Sequence, residues 1–133
     1  MLKSSKIFRC CLALLSGLGL LCSENALSMT YRQCATVEKA NGDIDGENRA
    51  CGETRENPGR AGGVVQCAYV TITVPPGWKN INYRRTKDNI GWAAWLDEIN
   101  VQQQDDGTAV VSTGLKNWSH DRARDFCLEV DAN

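Results

Sequence analysis

VVQCAYVTITV, residues 64–74, is the strongest strand signal in the sequence. Valine, isoleucine, threonine and tyrosine dominate it, and these side chains favour a pleated, half-buried surface. Alternation divides the segment into an apolar face and a more polar face. The apolar face carries Val70, Ile72 and Val74, and the other carries Cys67, Tyr69, Thr71 and Thr73. Two prolines and a glycine at 75–77 end the predicted strand.

Weaker strand signals lie on both sides of this segment. Residues 31–37 predict a first strand and residues 126–130 a closing strand, whose Phe126, Leu128 and Val130 share one face. Residues 92–103 fit neither period cleanly and could form a strand or a short helix, but the turn at 105–107 and the strand-like residues 108–115 favour a single strand paired in a hairpin. Residues 78–89 and 119–125 are predicted to be irregular. Without a convincing helix, the predicted fold is an all-β, disulfide-bonded sandwich, with a small β-barrel as the alternative.

The first 28 residues have the three-part organisation of a signal peptide. Three basic residues and no acid precede the apolar run CCLALLSGLGLLC at 10–22, and the polar stretch SENALS follows. The run is shorter than the roughly 20 apolar residues of a spanning helix. Ala26 and Ser28 are the small residues expected before a cut at Met29. The predicted mature chain is therefore a single domain, residues 29–133, without a membrane span.

Export changes the charge and the cysteine count. Removing three bases and one acid from totals of 15 and 16 leaves 12 and 15, a formal net charge of −3. This balance offers no basic excess for a nucleic acid partner. Four of the seven cysteines remain, and an even number in an exported chain predicts two disulfides and a secreted or periplasmic location. They are Cys34, Cys51, Cys67 and Cys127.

Four cysteines allow three pairings. We favour Cys34–Cys51 with Cys67–Cys127, in which the first bridge closes the loop that follows the first strand. Cys34–Cys127 with Cys51–Cys67 is the alternative, because terminal strands often lie side by side. Alternation along each strand places Cys67 and Cys127 on the face that is not apolar. This position argues against a bridge through the central core.

Residues 38–63 form a long predicted loop with six glycines, many charges and few large apolar side chains. We expect its order to come from Cys51 or from a bound ligand. Its NGDIDGE stretch, 41–47, resembles the start of an EF-hand calcium loop, with oxygen ligands at alternate positions and glycine sixth. The twelfth position is Gly52 instead of glutamate. Asp43 and Asp45 are therefore weak calcium candidates, and no other cofactor is expected.

Few residues are suited to acid–base chemistry. Ser119-His120-Asp121 has the composition of a catalytic triad, but three consecutive residues on one loop cannot line up nucleophile, base and orienting acid. The chain contains a single histidine. We therefore predict no catalytic residues and no enzymatic activity.

Ligand binding is the expected activity. Trp78 follows the Pro-Pro-Gly turn and Trp118 opens a charged loop, so both are predicted to be exposed, whereas Trp92 and Trp95 are assigned to the core. Basic residues near Trp118 complete the predicted ligand-binding set, namely Arg122 and Arg124. We expect a secreted or periplasmic, non-catalytic binding domain for a protein or carbohydrate. The alternative is a small secreted effector, toxin or inhibitor that acts on another cell's surface or enzymes.

Overall fold

The computed structural model describes residues 28–54, 62–89 and 91–133, which contain seven β-strands and no helix. Residues 1–27 of the predicted signal peptide lie outside the described residues. The strands are Met29–Val37 (β1), Gln66–Val74 (β2), Ile81–Lys87 (β3), Ala93–Trp95 (β4), Asn100–Gln103 (β5), Ala109–Asn117 (β6) and Arg124–Ala132 (β7). No helix in the described part is long and apolar enough to cross a membrane.

Two antiparallel sheets form a sandwich that does not close into a barrel, as the strand pattern predicted. One sheet has the order β1-β7-β3. The other has the order β2-β6-β4, and β5 pairs with β6 on the same side as β4. Each sheet is therefore built around one long central strand, β7 or β6, and both central strands alternate buried and more exposed residues.

The core lies between the inner faces of the two sheets. Phe126, Leu128 and Val130 of β7 are all buried, as are Val70 and Ile72 of β2, so the predicted apolar faces are confirmed. The other core residues are Val37, Val74, Ala109, Val111, Leu115 and Ala132. Trp95 packs edge-on against the ring of Phe126, with the ring centroids 5.9 Å apart. The sheets thus share one continuous apolar layer.

Two predictions about the middle of the chain are wrong. β3 lies in the stretch predicted to be irregular, because it is an edge strand with a largely exposed, polar sequence. The predicted single strand at 92–103 is divided into β4 and β5, which pair with different parts of β6. Residues 96–99 leave the sheet between them, which explains why no single period fits this segment. The predicted hairpin from β5 to β6 is confirmed.

The disulfides are Cys34–Cys127 and Cys51–Cys67, so the favoured pairing is wrong and the alternative is confirmed. The reason is topological. β1 pairs with β7 in a register that places Cys34 directly opposite Cys127. Both side chains lie on the outer face of this sheet, while Cys67 belongs to the other sheet. Cys51 then ties the long loop to the start of β2.

Candidate functional site

The four residues predicted to bind ligand do not form one site. Trp78 lies at the end of the sandwich that holds the carboxyl terminus, since the neighbouring Lys79 amide donates to the Asn133 carbonyl at 2.8 Å. Trp118 follows β6 at the opposite end. Nine-residue strands at about 3.3 Å per residue separate these ends by about 26 Å. A small ligand cannot contact both tryptophans.

Burial also contradicts the expected exposure of two of these residues. Trp118 is 9% exposed and Arg124 is 1% exposed. Arg124 points inward because it shares the inner face of β7 with Phe126. Its Nη2 donates to the Gly91 carbonyl at 2.7 Å, whereas its Nε and Nη1 have no hydrogen-bond partner among the described residues. Of the predicted set, Arg122 is exposed and Trp78 is half-buried against the core.

Trp92 was assigned to the core, and that prediction is wrong. Its side chain is 66% exposed, and its backbone adopts a φ of 70°. A positive φ is unfavourable for a bulky residue, so surrounding contacts must maintain it. Two hydrogen bonds do so, one from the Trp118 amide to the Trp92 carbonyl at 2.9 Å and one from Arg124 to Gly91. An exposed indole is thereby presented on a fixed loop.

The long loop after β1 is anchored by more than its disulfide. Ala40 is fully buried, and its amide donates to the Ser119 carbonyl at 2.8 Å. Gly46 packs against Trp118 so closely that a Cβ at this position would lie 2.3 Å from the Trp118 Cβ. The expectation that only Cys51 or a bound ligand orders this loop is therefore wrong. The first part of the loop is an integral layer over one end of β6.

Lys116 supplies a cation to this loop. Its Nζ donates to the carbonyl oxygens of Gly46, Glu47 and Arg49 at 2.9, 2.6 and 3.2 Å. The ammonium also lies 5.3 Å from the centroid of the Trp118 ring. Three carbonyls converging on one cation resemble the oxygen cage of a metal site. Here the covalently attached ammonium fills that position. We call this arrangement the Lys116 carbonyl cage.

The predicted calcium ligands lie beside this cage. Asp43 Oδ1 is 3.9 Å from Nδ1 of His120, and Asp45 is exposed. Among residues 28–54, 62–89 and 91–133, no cluster of three or more histidine, cysteine, aspartate or glutamate side chains could hold a metal ion. Calcium binding by Asp43 and Asp45 stays a prediction.

The Ser-His-Asp sequence has a structural arrangement unlike a triad. The buried Ser119 hydroxyl donates to Asp121 Oδ1 at 2.6 Å, and this hydrogen bond lowers the pKa of Asp121. His120 is exposed and faces Asp43. The serine oxygen also accepts the amide hydrogen of Arg122 at 3.3 Å. The hydroxyl therefore orders a turn, and its hydrogen bonds are to Asp121 and Arg122.

Asn117 is the buried polar centre of the same end. Its Nδ2 donates to the carbonyls of Val37, Glu38 and Arg122, and its Oδ1 accepts the Ser119 amide. The residue is fully buried. It is also the acceptor position of an N-glycosylation sequon, Asn117-Trp118-Ser119. In the folded protein, the amide nitrogen that a glycan would modify is enclosed.

A groove of about 440 Å³ lies on the outer side of the four-stranded sheet. The segment 96–99 that separates β4 from β5 forms one wall, and β6 with Tyr69 of β2 forms the other. The lining residues are Tyr69, Leu96, Asp97, Glu98, Ile99, Asn100, Ser112, Thr113 and Gly114. This volume lies within the range of about 300–1,000 Å³ that is typical of ligand sites. We call it the Tyr69 groove.

Tyr69 is an exposed aromatic surface held in place by its neighbours. It lies opposite Gly114 in the β2–β6 register, and its ring covers the glycine, where a Cβ would lie 2.6 Å from the ring. Leu96 packs over the same glycine, since its Cδ1 would lie 2.7 Å from that Cβ. The phenol oxygen is 4.0 Å from Cys51 Sγ. The side chain is nevertheless 66% exposed.

Arg85 fixes the opposite wall of the groove. Its Nη1 donates to the Asp97 carbonyl at 2.6 Å and to the Thr113 hydroxyl at 3.1 Å. Its guanidinium stacks 4.4 Å from the centroid of the Trp95 ring. Arg85 therefore connects β3 of one sheet to β6 and to the 96–99 segment of the other. Contacts to named neighbours therefore hold both walls of the groove, and one of them, from Arg85 to Thr113, is partly buried.

Tyr69 was not among the residues predicted to bind ligand, although the sequence contained one signal for it. Alternation in β2 placed Tyr69 on the polar face, away from the core, with Cys67, Thr71 and Thr73. An exposed tyrosine on a polar strand face is a candidate ligand contact. The covering of Gly114 and the placement of residues 96–99 depend on strand pairing, so no local pattern indicated a groove.

Comparisons with known proteins identify no relatives. The chain matches no family model, no curated protein and no solved structure. Function is therefore inferred from the geometry of the described residues.

Proposed function

We propose that this protein is a secreted or periplasmic, non-catalytic binding domain that holds a carbohydrate in the Tyr69 groove. The observation that carries the proposal is the exposed, fixed ring of Tyr69 at the edge of a polar groove. A sugar ring has an apolar C–H face and a rim of hydroxyls. The ring of a tyrosine provides a flat apolar surface that matches the C–H face of the sugar, and its hydroxyl provides a polar group beside that surface.

The polar groups of the groove suit the hydroxyl rim of a sugar. Ser112 provides a hydroxyl, Asn100 an amide, and Asp97 and Glu98 carboxylate oxygens. Together they offer both donors and acceptors. A groove open to solvent also accommodates a chain that continues beyond the bound unit. This combination favours a carbohydrate over a purely apolar ligand.

Rigidity supports recognition without a large conformational change. Contact with Gly114 and Leu96 restricts the Tyr69 ring before any ligand arrives, and Arg85 restricts the facing wall. Ordering a mobile side chain on binding costs about 0.5–1.5 kcal/mol. A prearranged tyrosine avoids most of that cost, so a shallow groove can still bind its ligand.

The non-catalytic part of the proposal is supported by the exposure of the acidic residues in the groove. Asp97 and Glu98 are both exposed to solvent. The general acid of a glycosidase lies in an environment that raises its pKa, typically an apolar pocket. Neither carboxylate has such an environment. Export is supported by the two disulfides, which are typical of oxidising compartments.

A second candidate function is recognition of a protein, as a small secreted effector, toxin or inhibitor would require. The observation in its favour is Trp92, an exposed tryptophan on a strained backbone. Tryptophan is enriched among the residues that dominate protein interfaces. Backbone strain at an exposed side chain is a reason to ask for a function. Trp92 is not one of the residues that line the Tyr69 groove, so mutations can distinguish the two candidates.

The test is binding of the exported, oxidised protein to a panel of immobilised glycans. We expect binding that is lost in Tyr69→Ala and retained in Tyr83→Ala. Tyr83 is the matched control, because it is 47% exposed and lies on β3 of the other sheet. Equal losses in both variants, or no glycan bound by the wild-type protein, would refute carbohydrate binding in this groove.

A further inference from the structure

We infer that the carbohydrate bound in the Tyr69 groove carries a free amine, as an amino sugar does. The inference depends on the carbohydrate function proposed above and names its chemical class. It starts from the charge of the groove. Among the residues that the structure describes, those lining the groove include two carboxylates, Asp97 and Glu98, and no lysine, arginine or histidine.

Two cations of the described residues around the groove, Arg85 and Lys116, make structural contacts. Arg85 uses its Nη1 on the Asp97 carbonyl and on Thr113, while its Nη2 lies 3.9 Å from Glu98 Oε2. Its side chain is only 16% exposed, and it stacks on Trp95. Lys116, on the strand that lines the groove, donates to the three carbonyls of the Lys116 carbonyl cage. Neither cation is oriented toward a ligand in the groove.

The resulting field favours a positive ligand. Arg85 offsets part of the charge of Glu98, and the carboxylate of Asp97 remains as a second negative group on the same wall. A neutral sugar gains only hydrogen bonds from these oxygens, an ammonium group gains an ion pair as well, and a uronic acid is repelled. The groove is open, so the effect of each ion pair is limited to about 0.2–1 kcal/mol, or up to about fivefold in affinity.

The position of the carboxylates fits a sugar stacked on Tyr69. The aromatic ring would bind the flat face of the sugar, and Asp97 and Glu98 are exposed residues of the same groove, so their carboxylates are available to substituents on the rim of the sugar. An amine on that rim donates up to three hydrogen bonds to oxygens that only accept. Stacking on Tyr69 contributes affinity for every sugar, and the carboxylates of Asp97 and Glu98 contribute the preference for a sugar with an amine.

The test compares three probes by isothermal titration calorimetry with the exported, oxidised protein. The probes are a β-1,4-linked glucosamine tetramer, its fully N-acetylated counterpart and a galacturonic acid tetramer. In low salt, about 20 mM, we expect the amine tetramer to bind several-fold more tightly than the acetylated one. The galacturonate tetramer should bind most weakly. The advantage of the amine should shrink in about 500 mM salt, where charges are screened within a few ångströms.

The matched variants are Asp97→Asn with Glu98→Gln in the groove, and Asp45→Asn with Glu47→Gln as the control. The control pair is exposed and lies at the end of the sandwich that holds the long loop. We expect the groove pair to abolish the preference for amine while leaving Tyr69-dependent binding of the acetylated tetramer. The control pair should leave the preference unchanged.

The outcomes separate the inference from the proposed function. Tyr69-dependent binding without any preference for the amine overturns the inference and leaves carbohydrate binding standing. Failure of all three tetramers to bind through Tyr69 overturns both. A lysine octapeptide that binds more tightly than the glucosamine tetramer, with the same dependence on Asp97 and Glu98, overturns the inference in favour of a basic peptide.

Discussion

Replacement of Lys116 by methionine removes the cation from the Lys116 carbonyl cage while keeping an unbranched side chain of similar length. Three carbonyl oxygens lose a charged donor at 2.6–3.2 Å. A hydrogen bond to a charged group contributes about 1.5–3 kcal/mol, and less where water can replace it. One of the three contacts is exposed and two are partly buried. We therefore expect the free energy of unfolding to fall by about 2–4 kcal/mol.

The assay is thermal unfolding followed by circular dichroism, with both disulfides intact. For a domain of about 100 residues, 1 kcal/mol shifts the melting temperature by about 4–8 °C, so a decrease of at least about 8 °C is expected. Lys39→Met is the control, because Lys39 is exposed and lies on the same long loop. Limited proteolysis should show faster cleavage within residues 38–54 in Lys116→Met alone.

A melting temperature of Lys116→Met within about 2 °C of the control would refute the contribution of the cage. Calcium provides a further comparison. If calcium restores the stability of Lys116→Met, and Asp43→Ala with Asp45→Ala abolishes that effect, the loop is a metal site from which lysine displaces the ion. We expect no effect of calcium on wild-type or variant protein, because the carbonyls alone lack the carboxylates that a calcium cage supplies.

Three further predictions concern other contacts. Gly114→Ala should lower the free energy of unfolding by about 1–3 kcal/mol, measured by urea unfolding, because the new Cβ displaces the Tyr69 ring, and glycan binding should fall with it. Asp131→Asn should reduce the loss of stability in acid. The Thr30 hydroxyl lowers the pKa of Asp131, so the Asp131 carboxylate stabilises the folded protein at neutral pH, and this stabilisation disappears as the pH falls below about 4. Urea midpoints at several pH values check this, and identical acid profiles would contradict it. Expression in a glycosylating eukaryotic host should yield natively folded protein without a glycan on Asn117, because that side chain is fully buried. Detection by mass spectrometry of soluble protein that has both native disulfides and a glycan on Asn117 would contradict this prediction.

Local patterns were sufficient for several features. Alternation of apolar residues identified β2 and β7 and the faces that each buries, since a strand in a half-buried sheet repeats every two residues. The same alternation placed Cys67 and Cys127 on outer faces. The absence of helical periodicity indicated the all-β class, which the structure confirms. These features depend on neighbours within a few positions of each other.

The candidate site could not be predicted in the same way. Trp118 follows the central strand and opens a charged segment, so its surroundings along the chain suggested exposure. It is buried because Gly46, far away in sequence, packs onto its ring. Trp92 lies in a mixed segment that suggested a core position, yet two hydrogen bonds from Trp118 and Arg124 hold its loop so that the indole is exposed.

The amino-acid sequence by itself determined the all-β class, the strands β2 and β7 and the apolar face of each, because those properties follow from the preferences of adjacent side chains. Only the tertiary structure decided which strands are neighbours, and with them the disulfide partners, the Lys116 carbonyl cage and the Tyr69 groove. Lys116 reaches carbonyls 67 to 70 positions earlier in the chain, and Tyr69 covers a glycine on another strand. Contacts at such separations arise from the packing of complete sheets, and no local sequence period encodes them.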